Sequence, residues 1–229
     1  MNDIIGEPPP SAASAAASAC ASPASPASPS IEKRDFLFRF VPAAQRHQLR
    51  LDNEALYSTT DQLTADKITK DLLRYIPKSA KVADATACIG GNTYSFAQHF
   101  STVHAYELDP VRAAYLAHNI RVLNTQNVTV VCGDVLRRIR EHYSLVFVDC
   151  PWGGPNYKIS DSVRLTLSGK PLEDVCFQLS NYAEHIALKV PTNFCEAEFL
   201  RETEPFLELL YKNVHLRKMH LLLFRVRPT

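Results

Sequence analysis

Six cysteines in 229 residues form no Cys-x-x-Cys pair and no Cys/His spacing of the kind that grips zinc, so no metal centre is expected. Free thiols in a reducing compartment are the simpler reading. No apolar run approaches the length needed to span a bilayer, and no basic start precedes a leucine-rich core. Neither a membrane anchor nor a secretory leader is therefore expected. An excess of charge of one sign is also missing: the formal net charge is +1, which is not the balance of a protein that wraps long nucleic acid. Gly-x-Gly-x-x-Gly is absent and no Gly-Lys-Ser/Thr follows a glycine loop, which excludes the dinucleotide fingerprint and the phosphate loop. Tryptophan occurs once, at position 152, so its surroundings carry information.

What is present begins with a biased tail. Residues 7–30 are almost wholly Pro, Ala and Ser, with Ala-Ser-Pro repeated three times; such a stretch has little to bury, and residues 1–30 are expected to be disordered. The remainder suits one domain of ordinary size.

That remainder alternates strand and helix signals. Lys81–Ala85 reads as a short strand, Thr86–Asn92 as a loop with Gly90 and Gly91, and Tyr94–Phe100 as a helix. Val103–Glu107 is a second strand, ending in an acid about 20 residues beyond the first, where a carboxylate can take the ribose hydroxyls of an adenosine-containing cofactor. Pro110–Leu123 is a helix with Asp109 as N-cap and Pro110 at its first position. Val128–Cys132 is a third strand followed by Gly133 and Asp134, and Val135–His142 a short helix. The continuous apolar run Leu145–Val148 is a fourth, buried strand that stops at Asp149. Four strand ends thus present Asp84, Glu107, Asp134 and Asp149 in series. Any one of them alone could equally be a helix N-cap. Further on, Pro171–Ala183 and Phe194–Thr203 read as helices, His185–Lys189 as a strand, and Phe206–Tyr211 with Leu216–Val226 as a closing strand pair. Ile159–Lys170 shows no periodicity and is expected to be an active-site loop.

The segment Asp149-Cys150-Pro151-Trp152-Gly153-Gly154-Pro155-Asn156-Tyr157 follows that fourth strand. In an open α/β sheet the ligand crevice lies outside the carboxyl ends of the strands. A carboxylate that accepts from an exocyclic amine, beside an aromatic plate that can stack a base, suits chemistry on a nucleobase amino group. A Pro-Gly turn with a core tryptophan is the plain alternative.

These residues together resemble a class I S-adenosylmethionine-dependent methyltransferase, and within that class the trimethylguanosine synthases, from about Arg46 onward. Asp84–Thr93 matches that family's Asp-Ala-Phe-Cys-Gly-Val-Gly-Gly-Asn-Thr. Glu107, Asp109, Pro110 and Val111 match its second motif, and Cys132-Gly133-Asp134 its third. Asp149–Tyr157 matches Ser-Pro-Pro-Trp-Gly-Gly-Pro-Asp-Tyr, while Leu51-Asp52 and Tyr57-Ser58-Thr59-Thr60 are similar to the segment lying over the active site. The resemblance implies a Rossmann-like, seven-stranded, mostly parallel sheet with helices on both faces and a C-terminal antiparallel pair. It implies an arm over residues 31–70 covering the site of a methyltransferase domain at 71–229. The activity implied is methylation of the exocyclic N2 amine of the 7-methylguanosine RNA cap.

The implied cofactor, S-adenosylmethionine, would be held by Thr60, Asp84, Ala85, Gly90, Gly91, Asn92, Thr93, Glu107 on the ribose, Leu108, Asp134 near the adenine amine, Val135 and Asp149. Asp149, Cys150 (through its carbonyl), Pro151 and Trp152 would be catalytic, and Ser58, Trp152, Tyr157, Lys158 and Asn193 would bind the capped RNA. A monomer working in the nucleus or cytoplasm is implied.

The sequence departs from that family at several positions. Cys88 replaces the first glycine of the loop, which restricts φ and implies weaker cofactor binding. Asp149 stands for Ser, Cys150 for Pro, and Thr192 for an Arg expected on the cap phosphates. Lys158, Lys189 or a cation of the arm (Lys33, Arg34, Arg39, Arg46, His47, Arg50) would have to take over from that Arg. The basic residues near the end (His215, Arg217, Lys218, His220, Arg225, Arg227) read as a charged sheet edge. Two other functions fit the same residues: amino methylation of adenine or uncapped guanine, and non-catalytic binding of capped RNA or a partner.

Overall fold

The computed structural model describes residues 31–154 and 159–228. Pro155, Asn156, Tyr157 and Lys158 lie outside the described residues, as does the tail at 1–30, so the expectations placed on them are not addressed by the structure.

Seven strands form one sheet in the order β3-β2-β1-β4-β7-β9-β8. They are β1 (Lys81–Asp84), β2 (Thr102–Glu107), β3 (Val128–Cys132), β4 (Leu145–Val148), β7 (His185–Pro191), β8 (Leu207–Leu216) and β9 (Met219–Val226). The first five are parallel, and β9 runs antiparallel to both β7 and β8. A two-stranded hairpin, β5 (Thr166–Leu167) and β6 (Lys170–Pro171), stands apart. The strand order reverses between β1 and β4, and at such a switch point connections leave to opposite sides and a crevice opens.

Helices pack on both faces. On one, α4 (Gln62–Leu72), α5 (Gly91–Ala97) and α6 (Pro110–Val122) bury Ile68, Leu72, Phe96, Leu116 and Ile120 against Val82, Val103, Ala105 and Phe147. On the other, α7 (Val135–Arg138), α8 (Leu172–Ser180) and α9 (Glu196–Thr203) pack Leu136, Val175, Leu179 and Phe199 on Val146, Val148, Ile186 and Leu188. All four residues of β4 are buried, as expected of a strand sandwiched between helix layers.

Ahead of α4, the helices α1 (Ile31–Leu37), α2 (Ala43–Arg46) and α3 (Ala55–Ser58) gather Leu37, Phe38, Val41, Leu49 and Leu56 onto Ile89 and Leu123. Asn119, fully buried, fastens them: its Oδ1 accepts from the Arg50 amide (2.8 Å) and its Nδ2 donates to the carbonyls of Arg50 (2.9 Å) and Ile89 (3.1 Å). The cations of this arm are largely spent on the arm itself. Arg46 pairs with Asp35, Arg39 lies 3.6 Å from Asp61, Arg34 donates to the His47 carbonyl, and Lys33 sits over the Tyr57 ring.

Four local expectations are corrected. Helix α5 begins at Gly91 rather than Tyr94, because Gly90 takes φ +105° and turns the chain into the helix at once. Helix α7 ends at Arg138 rather than His142. Ile139 is extended and fully buried, and Tyr143 is drawn into the core, where its amide bonds the Tyr182 carbonyl. The stretch 159–170 is not an irregular loop throughout. It enters the β5–β6 hairpin, bridges Val163 to Phe194, buries Leu165, and fixes Arg164 among Glu173, Glu198 and Glu202. Strand β8 also runs through to Leu216, past the expected stop at Tyr211, with register shifts that absorb the extra length. Among the described residues no helix is long and apolar enough to cross a membrane.

Candidate functional site

The switch point sets two carboxylates side by side. Asp84 closes β1 and Asp149 follows β4; the strands are tied beyond their pairing by Ala85 N–H to the Phe147 carbonyl (2.8 Å) and Asp149 N–H to Thr86 Oγ1 (2.8 Å). Asp84 is 1% exposed, and Thr93 Oγ1 donates to its Oδ2 at 2.6 Å. Burial pushes its carboxyl up to about 7, against the hydrogen bonds from Thr93 and the Thr86 amide. The folded protein therefore keeps a proton that the unfolded chain releases near pH ~4. This group's contribution to stability is full below that pH and falls as pH rises to about 7. In thermal melts, Asp84→Asn should gain on the parent steadily from about pH 4 to about pH 7; a constant gap would show that Asp84 carries no such proton.

Asp149 sits in a network that sequence spacing does not reveal. Lys189 of β7 is 5% exposed, and its ammonium forms an ion pair with Asp149 Oδ2. Lys189 also donates to Thr60 Oγ1 (2.7 Å), as does Asn92 Nδ2 (3.0 Å), and the Thr60 hydroxyl bonds Asp149 in turn. One hydroxyl thus uses both acceptor lone pairs and its donor. Burial raises the Asp149 carboxyl while Lys189 and Thr60 draw it back. Lys189 is therefore not a cation left over for phosphate, as it was considered above. Its Nζ lies 5.5 Å from the centre of the Trp152 ring, and Trp152 is half-buried, packed against the core edge. Pro151 beside it is exposed, and the Cys150 side chain points into the core, where burial pushes its thiol up to about 12. Gly153 and Gly154 follow at φ +88° and +69°, and among the described residues nothing would meet a Cβ at either; glycine makes such a turn without steric cost.

The glycine loop meets the arm directly. A Cβ on Gly91 would lie 2.4 Å from the Thr60 carbonyl oxygen, so only glycine lets residues 59 and 60 approach α5. Cys88 adopts φ +50°, its thiol 3.6 Å from Thr59 Oγ1 and raised to about 12 by burial. A side chain in this left-handed region costs about 1–2 kcal/mol. Cys88→Gly should nevertheless shift stability by less than about 1 kcal/mol in urea unfolding, because relieved strain is offset by lost packing and a freer unfolded chain. Cys88→Val, β-branched at positive φ, should cost about 2 kcal/mol or more; a neutral valine would refute the conformational reading.

Glu107, 8% exposed, accepts from the amides of Cys88 and Asp109 (both 2.9 Å). Arg112 lies 3.5 Å from it and reaches Glu54 (2.7 Å) and Asp52 (3.8 Å), which couples the second strand end to the arm. Leu108 is exposed beside it. Asp134 caps α7 through the Leu136 amide (3.0 Å) and accepts from Ser168 Oγ of the hairpin (3.0 Å). Ala85 and Val135 are buried in the core. Ser58 is exposed at the end of α3, and the Asn193 amide donates to the Ser160 carbonyl (2.7 Å). The structure therefore gathers Asp84, Asp149, Trp152, Thr60, Asn92 and Thr93 at the β1–β4 switch point, with Glu107 and Asp134 at the neighbouring strand ends. Arg112 and Asn119 escaped the sequence reading, and from the sequence Lys189 reads as a cation for phosphate rather than as the partner of Asp149.

Known proteins share this architecture. A TehB-like S-adenosylmethionine-dependent methyltransferase from Corynebacterium glutamicum superposes with a TM-score of 0.53 at 15% identity, over 80% of this chain and 96% of that one. A methyltransferase candidate from Porphyromonas gingivalis gives 0.61 at 18% identity, over 79% and 44%. At the sequence level, the trimethylguanosine synthase of Schizosaccharomyces pombe is 30% identical over 152 residues, 62% of this chain and 63% of that protein. An uncharacterized protein of Acanthamoeba polyphaga mimivirus is 34% identical over 123 residues, 51% and 48%. The chain spans 63% and 48% of the length of these two relatives. The family description RNA cap guanine-N2 methyltransferase matches residues 79–214. That span runs from the first strand to the last strand pair and takes in both switch-point carboxylates, so this class I methyltransferase fold belongs to the RNA cap guanine-N2 methyltransferase family.

Proposed function

We propose that the protein transfers a methyl group from S-adenosylmethionine to the exocyclic N2 amine of a 7-methylguanosine RNA cap. The observation that carries this reading is the half-exposed Trp152 beside an Asp149 held at the switch point by Lys189 and Thr60. Carboxylates at the ends of β1, β2 and β3 fit the cofactor's chemistry: its ammonium, sulfonium, ribose hydroxyls and adenine amine are cations or donors, and Asp84, Glu107 and Asp134 are acceptors. When bound, the cofactor supplies an already electrophilic methyl group. In this reading Thr60, Ala85, Gly90, Gly91, Asn92, Thr93, Leu108 and Val135 shape its bed.

The chain's own work is orientation. Trp152 stacks the cationic purine, a contact of about 1–3 kcal/mol to which the attraction of positive charge for an indole face contributes. Asp149 and the carbonyl of Cys150 accept from the amine and aim its nitrogen; the proton it loses passes to water. Lys189 and Thr60 fix the rotation of the Asp149 carboxylate, so that little order remains to be gained at the moment of reaction. Ser58 and Asn193 are placed by this reading along the path of the cap.

A second reading draws on Lys189. An ammonium 5.5 Å from the Trp152 ring already occupies its electrostatic field and disfavours a further cation there, which suits an uncharged purine amine. Incubation with labelled cofactor and three acceptors (a 7-methylguanosine-capped dinucleotide, its unmethylated counterpart and an adenine oligonucleotide), followed by mapping of the methyl position, separates the two. Label on N2 of the methylated cap supports the first. Label on unmethylated guanine or on adenine supports the second.

A further inference from the structure

The early end of α7 borders an open part of the sheet. Beyond Arg138 the chain leaves the helix through the extended Ile139, and His104, Tyr106, Thr129 and Val131 share one face of the β2–β3 pair beside it. A cavity of about 350 Å³ opens there, and Arg137, Arg138 and Arg140 stand along its wall. Its floor is built: Tyr143 OH bonds both His104 Nδ1 and Tyr106 OH at 2.8 Å. Glu141, the one carboxylate lining it, is already paired with Lys81. Arg137 leans toward Asp134 at 3.8 Å, while Arg138 and Arg140 form no ion pair among the described residues. All three guanidinium groups belong to exposed residues.

Positive charge is thus concentrated here in a chain whose net charge is only +1. Guanidinium forks match phosphate oxygens, and an open polar trough suits a chain rather than an enclosed small molecule. The trough is lined by Thr129 and Val131 of the edge strand β3, and its Arg137 leans toward Asp134, which lies just past the end of that strand, at the same end of the sheet as the carboxylates of the candidate site.

We propose that this trough binds the phosphodiester backbone of the RNA downstream of the cap. The proposal rests on the capped-RNA reading for its ligand, but its test does not depend on methyl transfer. Binding of an uncapped, fluorescein-labelled oligoribonucleotide is measured by anisotropy over a range of salt, for the full chain and for Arg138→Glu/Arg140→Glu. The double variant is expected to bind at least about 10-fold more weakly, with the salt slope reduced by roughly 1.4–1.8 for two lost phosphate contacts. KM for a capped oligonucleotide should rise in parallel while KM for a capped dinucleotide stays put. Arg138→Gln/Arg140→Gln, which removes charge without reversing it, should show a smaller loss in the same direction. Unchanged oligonucleotide affinity and slope would overturn the proposal. So would equal losses for oligonucleotide and dinucleotide, or displacement of the oligonucleotide by a mononucleotide at similar concentration. Failure of cap methylation alone would count against the cap reading and leave the anisotropy result standing.

Discussion

Asp149→Ala is expected to lower the unfolding free energy by about 3–5 kcal/mol and to reduce methyl transfer by about 100-fold or more. The two effects have separate origins. Stability falls because the Lys189 ammonium, 5% exposed, would be left buried without its carboxylate. Transfer falls because only the Cys150 carbonyl remains to accept from the amine, and one acceptor does not aim its nitrogen. A second substitution separates them: Asp149→Ala/Lys189→Met removes the stranded charge and should recover most of the stability in urea unfolding while leaving the enzyme inactive. If Asp149→Ala alone unfolds like the parent, the ion pair contributes nothing to the fold. If the double variant regains activity, Asp149 has no part in the reaction.

Trp152→Ala is expected to reduce kcat/KM on a capped dinucleotide by roughly 10–100-fold, the worth of about 1–3 kcal/mol of base stacking. The loss should fall on KM, since stacking binds the ground state and the transition state alike. Trp152→Phe should lie between. Because the indole is only half-buried, the melting temperature should move little. A loss confined to kcat, or a large drop in stability with unchanged KM, would make Trp152 a structural residue.

Legibility from the sequence followed the range of the interactions. The strand rhythm was readable because a strand buried on both faces must be a short apolar run: Leu145–Val148 is such a run and is wholly buried. The acids at strand ends were readable because each lies at, or within two residues of, the end of its run. Long-range pairings were not readable. Lys189 reads as a cation available for phosphate until β7 is set beside β4, which brings it to a carboxylate 40 positions away. Asn119 sits on an otherwise regular helix and becomes a fastener only when residue 50 is packed against it. The length of α7 was misjudged because helical propensity continues past Arg138. Burial of Ile139 and Tyr143 ends the helix there, a tertiary preference that local periodicity does not record. The β5–β6 hairpin, two residues per strand, is too short to show alternation.

Trp152 is the only tryptophan, so the fluorescence of the native chain reports on one position. Titration with 7-methylguanosine triphosphate is the most direct test of a purine lying on that indole beside Asp149. Saturable quenching, tighter than with guanosine triphosphate and absent with adenosine triphosphate, is the predicted result. No quenching by any of the three, or stronger quenching by adenosine triphosphate, would contradict it.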